Sequence, residues 1–258
     1  MINKNNNSKT LWFLFYKDEL LLRNVDEKPS IPCGDTPPLP SKYTQHTVAK
    51  LSNIPCIAYY LDEQPTLEGY TTMALRDVYE HIDKKYYKIA GKALEILYWD
   101  KNTQYCPACG TKTQMNTPIS KKCPNCGKEI FTIVTPAILV RIKKDDKIML
   151  VHSRTFKKNY KGLVAGFVET GESLEECVRR EVMEETSLTI KNIKYFGSQP
   201  WPYPSNIMIG FTADYESGEV HLQDEELSSG GFFGKDNLPL LPRKDSLARK
   251  IIDDWINS

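Results

Sequence analysis

The sequence has no marked excess of charge of either sign, because 34 basic residues face 33 acidic ones among 258 residues, a formal net charge of +1. A chain this balanced has no global field that would attract nucleic acid or an acidic membrane, although a local basic groove stays open. Long apolar runs are also missing. The most apolar early stretch, Leu11 to Tyr16, is followed directly by charged residues. We therefore expect neither a signal peptide nor a membrane span there, and no membrane partner.

An even set of cysteines is lacking too, and no internal repeat is visible. Of the seven cysteines, four lie in two CxxC pairs. An oxidised, secreted scaffold would pair its cysteines, whereas a reducing compartment with a bound metal explains both the odd number and the pairs. We therefore predict a cytoplasmic protein.

The two CxxC pairs have the spacing of a metal site. Cys106 and Cys109 lie in "CPACG", Cys123 and Cys126 lie in "CPNCG", and 13 residues separate the pairs. Each CPxCG turn can present two thiolates, because its glycine frees the backbone, and four thiolates satisfy tetrahedral Zn²⁺. Unliganded core cysteines would not explain the repeated proline and glycine, and a redox pair would not occur twice without a thioredoxin-like setting. The pattern predicts a zinc ribbon with one structural Zn²⁺ per chain.

The order of apolar patterns predicts three regions. In residues 1–100, strand patterns such as Pro55 to Leu61 precede a helical pattern from about Thr72 to Trp99, which indicates a small α+β domain. The predicted ribbon occupies residues 101–131. From residue 132 to residue 258, strand and helix patterns alternate, which indicates an α/β domain.

A predicted helix in the third region carries three carboxylates on one face. In "REVMEETSL", Glu181, Glu184 and Glu185 stand at i, i+3 and i+4, where like charges repel. Ser173 and Glu176 form a capping-box pattern that predicts where this helix begins. The acidic face continues the apolar stripe of the first turns, which favours a divalent cation at the edge of a packed core. From these residues alone, a solvated acidic face is about as good an interpretation.

The flanking residues add a family resemblance. "GFVETGESLEECVRREVMEETSL", Gly166 to Leu188, resembles the Nudix box and departs from its fixed positions only at Ser187, where the family has glycine. That position follows the helix and favours a left-handed conformation, which serine can adopt at a cost of about 1 kcal/mol. The resemblance implies an α/β/α sandwich with a mixed sheet. It also implies metal-dependent hydrolysis of nucleoside diphosphates linked to another moiety.

The resemblance implies a role for each matching residue around a catalytic Mg²⁺ or Mn²⁺. Its main metal ligands would be the carboxylates of Glu181 and Glu185, joined by the backbone carbonyl of Ala165. A further carboxylate beyond the box is usual in the family; "LQDEEL" offers Asp224, Glu225 and Glu226, and we predict Glu226. Glu184 would bind metal or order the attacking water.

Two further box residues would support these ligands. Arg180 would pair with a box carboxylate and orient it, and Glu172 would support the site. All five of the box residues Glu172, Arg180, Glu181, Glu184 and Glu185 are thus predicted to be catalytic.

A proline-rich segment, "SQPWPYPSN", follows a predicted strand beyond the box. Its prolines stiffen the chain, while Trp201 and Tyr203 supply flat faces that could stack a purine or nicotinamide ring. Gln199 and Asn206 could read ring edges. The alternative is a proline-rich turn with buried aromatic residues.

The segment resembles the SQPWPFPxS signature of the NADH pyrophosphatase branch of the Nudix family, with Tyr203 for Phe and Asn206 for Ser. That branch also has an N-terminal domain, a four-cysteine ribbon and a Nudix domain, and its members are homodimers in which both protomers contribute to each site. The likeness is faint before about Leu75. The implied substrate contacts are Gln199, Pro200, Trp201, Pro202, Tyr203, Pro204, Ser205, Asn206, Arg76, Phe131 and Ala248.

The branch resemblance implies hydrolysis of the central pyrophosphate of NADH or NAD⁺, a small dinucleotide, into AMP and nicotinamide mononucleotide. One alternative is removal of an NAD cap from the 5′ end of RNA, with Lys121, Lys122 and Lys128 as RNA contacts unless they are only a solvated face. Another is a nucleotide-sensing regulator without hydrolysis. The intact set of glutamates argues against a sensor, because a sensor does not need to activate water.

Overall fold

The computed structural model describes residues 9–156 and 158–258. It divides into two compact units, one of Met1–Ile133 with Pro202–Ser205, the other of Val134–Trp201 with Asn206–Ser258. The first unit contains both the predicted N-terminal domain and the predicted ribbon, which form separate sheets. The boundaries after residues 100 and 131 stay predictions, and the first eight residues of the N-terminal domain lie outside the described part. No helix among the described residues is long and apolar enough to cross a membrane.

The larger sheet of the first unit is built on a strand that is buried on both faces. Phe13 and Phe15 pack in one apolar cluster, while Trp12 and Leu14 pack in another on the opposite face. This explains why the strand is a continuous apolar run rather than an alternating one. The sheet has the order β3-β2-β1-β6-β5, with β4 on β1 and β7 on β2. The strands are β1 Thr10–Tyr16, β2 Glu19–Val25, β3 Lys28–Ser30, β4 Cys33–Gly34, β5 His46–Leu51, β6 Ile54–Tyr60 and β7 Tyr70–Ala74.

The single helical pattern predicted from about Thr72 to Trp99 is wrong at its start. Residues Tyr70–Ala74 form β7, which pairs with β2, and a short helix α1 (Leu75–Val78) follows. The β-branched Thr71 and Thr72 suit a pleated strand better than a helix. The long helix α2 (Lys84–Asn102) begins only after Asp83, whose carboxylate caps the backbone N–H of Lys85 at 2.9 Å.

The ribbon is a small antiparallel sheet with the order β10-β9-β8. Two backbone turns hold the cysteine pairs at one end of it, because the N–H of Gly110 donates to the carbonyl of Cys106 (2.9 Å) and that of Gly127 to Cys123 (3.0 Å). Both glycines have positive φ, 73° and 76°, which only glycine adopts freely. The strands are β8 Gln114–Thr117, β9 Ser120–Lys122 and β10 Glu129–Phe131.

The second unit has one six-stranded mixed sheet, with the order β14-β15-β11-β12-β16 and β13 paired with β11. Only the β11–β15 pair is parallel among the pairings that the described strands of this sheet make. The strands are β11 Thr135–Lys144, β12 Lys147–Ser153, β13 Val164–Phe167, β14 Thr189–Trp201, β15 Asn206–Ser217 and β16 Leu227–Gly234, and a 3₁₀ turn, Lys235–Asn237, follows.

Two helices cover opposite faces of this sheet. On β11, Ile138 and Val140 pack in a cluster with Val178 of α3 (Leu174–Thr186). The intervening Leu139 packs with Ile251 of α4 (Leu247–Ile256). Alternate residues of one strand therefore contact different helices. The predicted α/β/α sandwich with a mixed sheet is confirmed.

Both ends of α3 match the sequence pattern. Ser173 and Glu176 form the predicted capping box, in which Glu176 accepts from the Ser173 N–H at 2.7 Å. At the other end, Ser187 is left-handed with φ of 58°, and its N–H donates to the Met183 carbonyl at 2.9 Å. Serine therefore takes the left-handed conformation predicted for this position, and the helix ends where the box predicts.

Candidate functional site

The carboxylate face of α3 is partly buried. Glu181 and Glu185 are only 9% and 4% exposed, although both are charged side chains at the end of the apolar stripe that contains Val178 and Val182. Glu184, by contrast, has 53% of its side chain exposed. Buried carboxylates need a compensating partner, so the solvated-face alternative does not describe Glu181 and Glu185.

A single guanidinium links two of these carboxylates to that of Glu172, which precedes α3. Arg180 donates to Glu172 from Nη2 (2.7 Å) and Nε (3.0 Å), and from Nη1 to Glu181 (2.9 Å) and Glu184 (3.0 Å). Its Nη2 also donates to the Phe167 carbonyl at 3.0 Å. The two-atom contact with Arg180 lowers the pKa of Glu172 to about 2, and the pKa of Arg180 is raised in return.

Glu185 has no such partner. Its buried Oε2 atom makes no hydrogen bond to any described residue. Burial, followed by the charges of Glu181, Glu226 and Glu184, raises the pKa of Glu185 to about 8. Burial also raises the pKa of Glu181, against the opposing effect of Arg180. A divalent cation would supply the missing partner, because hard carboxylate oxygens are the ligands that Mg²⁺ and Mn²⁺ prefer.

Glu226 reaches this cluster from another part of the chain. It precedes β16, and its carboxylate charge raises the pKa of both Glu181 and Glu185. Backbone bonds hold its loop against α3, since the N–H of Gln223 donates to the Glu185 carbonyl at 3.1 Å. The N–H of Arg154 donates to the Glu226 carbonyl at 2.8 Å. The structure thus places the predicted ligand from beyond the box beside the box glutamates.

The backbone of β13 completes the surroundings of Glu181. A Cβ atom placed on Gly166 would lie 1.8 Å from the Glu181 carboxyl carbon, so only glycine leaves room for this carboxylate. Ala165, whose carbonyl is the predicted backbone ligand, is the preceding residue of the same strand. The box motif marks Gly166 only as its first residue and does not predict this contact, although the fixed position of the glycine is a signal for it. The roles of all these residues as ligands and catalysts stay predictions.

The four ribbon cysteines are gathered into a second cluster. Their sulfur atoms all lie within 4.8 Å of one another. The Cys106–Cys126 and Cys109–Cys123 sulfur atoms are 3.6 Å and 3.5 Å apart. Tetrahedral zinc with bonds of about 2.3 Å would separate its sulfur ligands by about 3.8 Å. The geometry is consistent with a zinc ribbon, and four protein ligands leave no open position for chemistry.

The proline-rich segment lies differently from its prediction. It does not follow a strand, because Gln199 to Trp201 are the last residues of β14 and Asn206 is the first of β15. Trp201 pairs with Asn206, so the strand pairing continues through the segment up to the turn Pro202–Ser205. The segment is therefore the tip of a hairpin.

The turn residues pack within the first unit. The Tyr203 hydroxyl lies 3.0 Å from that of Tyr87, and the Arg76 guanidinium carbon lies 4.2 Å from the centre of the Tyr203 ring. Pro202 is buried beside Gly91, where an added Cβ would lie 3.1 Å from its ring. Two predicted substrate contacts, Arg76 and Tyr203, are thus brought together, and one face of the tyrosine ring is covered by the guanidinium.

The other predicted substrate contacts are spread over several elements. Gln199 donates to the Asp245 carbonyl at 2.9 Å, and Ser205 donates to the Ile133 carbonyl at 2.8 Å. Asn206 is buried, Trp201 is half-buried, and Pro200 and Pro204 are exposed. Ala248 packs on the apolar cluster beneath α4, and Phe131 on β10 is 53% exposed. Their contacts with substrate stay predictions.

Lys121 is not available as an RNA contact. It is 3% exposed, and its Nζ lies 2.5 Å from Asp100 Oδ1 and 2.8 Å from the Asp100 carbonyl. His46 approaches the same carboxylate at 3.2 Å. The interpretation of Lys121 as a solvent-facing lysine is therefore wrong, because its ammonium group is buried against Asp100. Lys122 and Lys128 are exposed.

Matches to known protein families agree with this architecture. Residues 133–255 match the family model described as NUDIX domain, and residues 9–99 match the one described as NADH pyrophosphatase-like rudimentary NUDIX domain. The fold, the box and these matches establish that the chain belongs to the Nudix hydrolase family. The second match begins well before Leu75, so the branch resemblance extends further toward the N-terminus than the motifs indicate.

Among its relatives is the NAD-capped RNA hydrolase NudC of Pseudomonas aeruginosa, 36% identical over 213 residues, which are 82% of this chain and 77% of that protein. The protein of the same name from Haemophilus influenzae is 42% identical over 172 residues, 64% of this chain and 65% of that protein. A crystal structure of a NUDIX hydrolase from Nitrosomonas europaea matches with a TM-score of 0.52 and 18% identity, over 60% of this chain and 91% of that one. That match is evidence for the fold alone.

Proposed function

We propose that this protein hydrolyses the central pyrophosphate bond of NADH and NAD⁺ and releases AMP and nicotinamide mononucleotide. The observation that carries the proposal is the buried carboxylate of Glu185 within a cluster of box glutamates, whose Oε2 atom has no hydrogen-bond partner among the described residues. Burying several negative charges together is unfavourable unless they bind a cation. A divalent cation bound there would also bind the diphosphate of the substrate.

The side chains would divide the work as follows. Glu181, Glu184, Glu185 and Glu226, with the Ala165 carbonyl, would hold Mg²⁺ or Mn²⁺. When bound, these ions supply charge neutralisation for the diphosphate and lower the pKa of a water molecule. Arg180 and Glu172 would fix the glutamate orientations, because one guanidinium joins three carboxylates.

We propose Zn²⁺ as the ion of the ribbon. Cys106, Cys109, Cys123 and Cys126 supply four soft ligands at distances that suit tetrahedral zinc. Because the set of ligands is closed, this zinc would stabilise the ribbon and take no part in hydrolysis.

The proline-rich segment would select the dinucleotide. Trp201 is half-buried at the end of β14, where its ring can stack on a base, and Gln199 and Asn206 lie beside it on paired strands. We also propose that the protein works as a cytoplasmic homodimer in which both protomers contribute to each site, as the branch resemblance implies.

Removal of an NAD cap from the 5′ end of RNA is the second candidate function. The same bond is broken, and the names of the relatives from Pseudomonas aeruginosa and Haemophilus influenzae favour it. One set of kcat/KM values for NADH, NAD⁺, ADP-ribose and NAD-capped RNA, each with Mg²⁺ and with Mn²⁺, tests both candidates. Tight binding of NADH with no turnover of any of the four would instead support the nucleotide sensor.

A further inference from the structure

Helix α2 carries a row of exposed lysines on one face. Lys84, Lys88 and Lys92 stand at i, i+4 and i+8, and all three are exposed. Four residues advance a helix by about 6 Å and rotate it only about 40° beyond a full turn, so the three ammonium groups form one stripe. We call Lys84, Lys88 and Lys92 the lysine stripe.

The lysine stripe is unfavourable for the helix itself. None of its members makes an ion pair within residues 9–156 and 158–258. Like charges four residues apart destabilise a helix. The first turn of α2 has no acidic residue, so Lys84 lies at the positive end of the helix dipole, while the N-cap carboxylate of Asp83 pairs with Lys85 at 3.4 Å. A helix that only needed a soluble face would do better with mixed charges.

The stripe borders the turn of the proline-rich segment. Tyr87 and Gly91, which contact Tyr203 and Pro202, each precede a stripe lysine by one residue. One residue corresponds to about 100° around the helix axis, so the turn and the stripe lie on adjoining faces of α2. Arg76 contacts the same turn, since its guanidinium carbon lies 4.2 Å from the centre of the Tyr203 ring.

We propose that the lysine stripe binds the phosphate backbone of single-stranded RNA whose 5′ end is the substrate. A free dinucleotide has only its diphosphate, which the glutamate cluster would hold through metal ions. RNA continues beyond it with one charge per nucleotide, and a row of cations about 6 Å apart can follow such a backbone. This inference rests on the proposed hydrolysis of NAD, and it adds single-stranded RNA as the ligand of the lysine stripe.

The test compares NAD-capped RNA with free NAD⁺ for the wild type and for a triple variant, Lys84→Gln, Lys88→Gln, Lys92→Gln. In single strands each phosphate contact contributes about −0.7 to the slope of log affinity against log salt, so three lost contacts should make the slope shallower by about 2. Over a fourfold rise in salt, a slope difference of about 2 means that the wild type should lose about sixteenfold more kcat/KM on capped RNA than the variant. Turnover of free NAD⁺ should not change.

A matched control replaces three exposed lysines elsewhere in the first unit, Lys28, Lys50 and Lys112, by glutamine. Their loss removes the same total charge, so the control distinguishes RNA binding at the lysine stripe from a general effect of positive charge on the protein. We expect the control variant to keep the wild-type salt slope. A control that flattens the slope as much as the stripe variant would overturn the proposal.

The outcomes also separate this inference from the proposed function. If the wild type turns over neither NAD⁺ nor capped RNA, the proposed function fails. If it turns over both, and the stripe variant has the wild-type salt slope on capped RNA, only the lysine stripe proposal fails. Relief of like-charge repulsion should leave the melting temperature of the triple variant unchanged or higher. Should the triple variant not fold, Lys88→Gln alone should still reduce the slope by about 0.7.

Discussion

The ribbon cysteines and the box glutamates are both metal-type clusters, but they are built in opposite ways. The cysteines come from two similar turns, and their sulfur atoms already lie within 4.8 Å of one another. The glutamates come from a helix and from a loop some 40 residues further on, and they gather negative charge in a partly buried place. The first arrangement is closed and self-sufficient. The second needs a ligand.

The pKa values express this difference. Arg180 lowers the pKa of Glu172 to about 2, whereas burial raises that of Glu185 to about 8. One guanidinium can satisfy only part of the cluster, and the described residues leave the remaining negative charge uncompensated. The ribbon cluster is therefore marked by complete local geometry, and the carboxylate cluster by charge that the described residues leave uncompensated.

The largest effect should follow from loss of one charge in the open cluster. We expect Glu181→Gln to lower kcat on NADH by more than about a hundredfold, because loss of a metal ligand should cost more than loss of a residue that only orients a ligand. Stability should not fall, since one of the repelling charges disappears. Steady-state kinetics and thermal melting measure the two effects. Glu175→Gln, an exposed carboxylate of the same helix, is the control and should keep normal activity. Normal turnover of NADH by Glu181→Gln would contradict a role for the carboxylate cluster in hydrolysis.

The closed cluster should respond in the opposite way, by loss of metal and of stability. We expect Cys106→Ser to abolish binding of one zinc per chain and to cost about 4 kcal/mol or more, the range in which loss of a metal stands out among point mutations. Metal analysis and denaturant unfolding provide the measurements. Cys33→Ser is the control, because Cys33 is exposed and outside the cluster. A zinc-free variant as stable as the wild type would remove the structural role.

The same contrast explains how much could be predicted from sequence. The cysteine cluster and both ends of α3 follow from local spacing, since a CPxCG turn, a capping box and a left-handed last residue each involve only neighbouring residues. The contact between Gly166 and Glu181 joins a strand to a helix, and no local pattern encodes it. The fixed glycine of the family motif is the only feature of the sequence that indicates this contact.

Local sequence patterns predict the wrong structure where tertiary pairing decides the conformation. Tyr70–Ala74 pairs with β2 although it precedes a helical sequence, and Gln199–Trp201 continues β14 although it contains prolines. Lys121 is buried because Asp100 accepts its charge at 2.5 Å, a partner some 20 residues away along the chain. In each case the deciding partner lies outside the window in which propensity acts.

A smaller effect is expected at the hairpin tip, where the ligand should be an aromatic ring rather than a metal. Stacking on one side chain is worth about 1–3 kcal/mol per base, so Trp201→Ala should weaken NADH turnover by about ten- to a hundredfold, mainly in KM. The exposed Tyr195 on the same strand offers a matched control in Tyr195→Ala. A diphosphate without a ring should be affected much less by Trp201→Ala. Equal losses on both substrates would indicate general damage to the site.

The smallest effect is a pH dependence that distinguishes the two clusters. Without bound metal, the pKa of Glu185 is raised from an ordinary value of 4.5 to about 8, so the folded chain keeps a proton that the unfolded chain loses. The stability from this group is complete below about pH 4.5 and is lost as pH rises through about 8.

Without added divalent cation, the melting temperature should therefore fall as pH rises from about 5 to about 8, the window set by that pKa shift. Mg²⁺ binds the carboxylate form, so its apparent affinity should increase by up to about tenfold per pH unit in the same window, as one proton is released. The rise in melting temperature caused by Mg²⁺ should then grow with pH.

Glu185→Gln should flatten both profiles, although Glu181, whose pKa is also raised, will leave part of the slope. Glu172→Gln should not flatten them, because the pKa of Glu172 is lowered to about 2, outside the window. If the wild type and Glu185→Gln have the same profiles, burial of Glu185 does not strain the cluster, and the contrast with the cysteines loses its energetic basis.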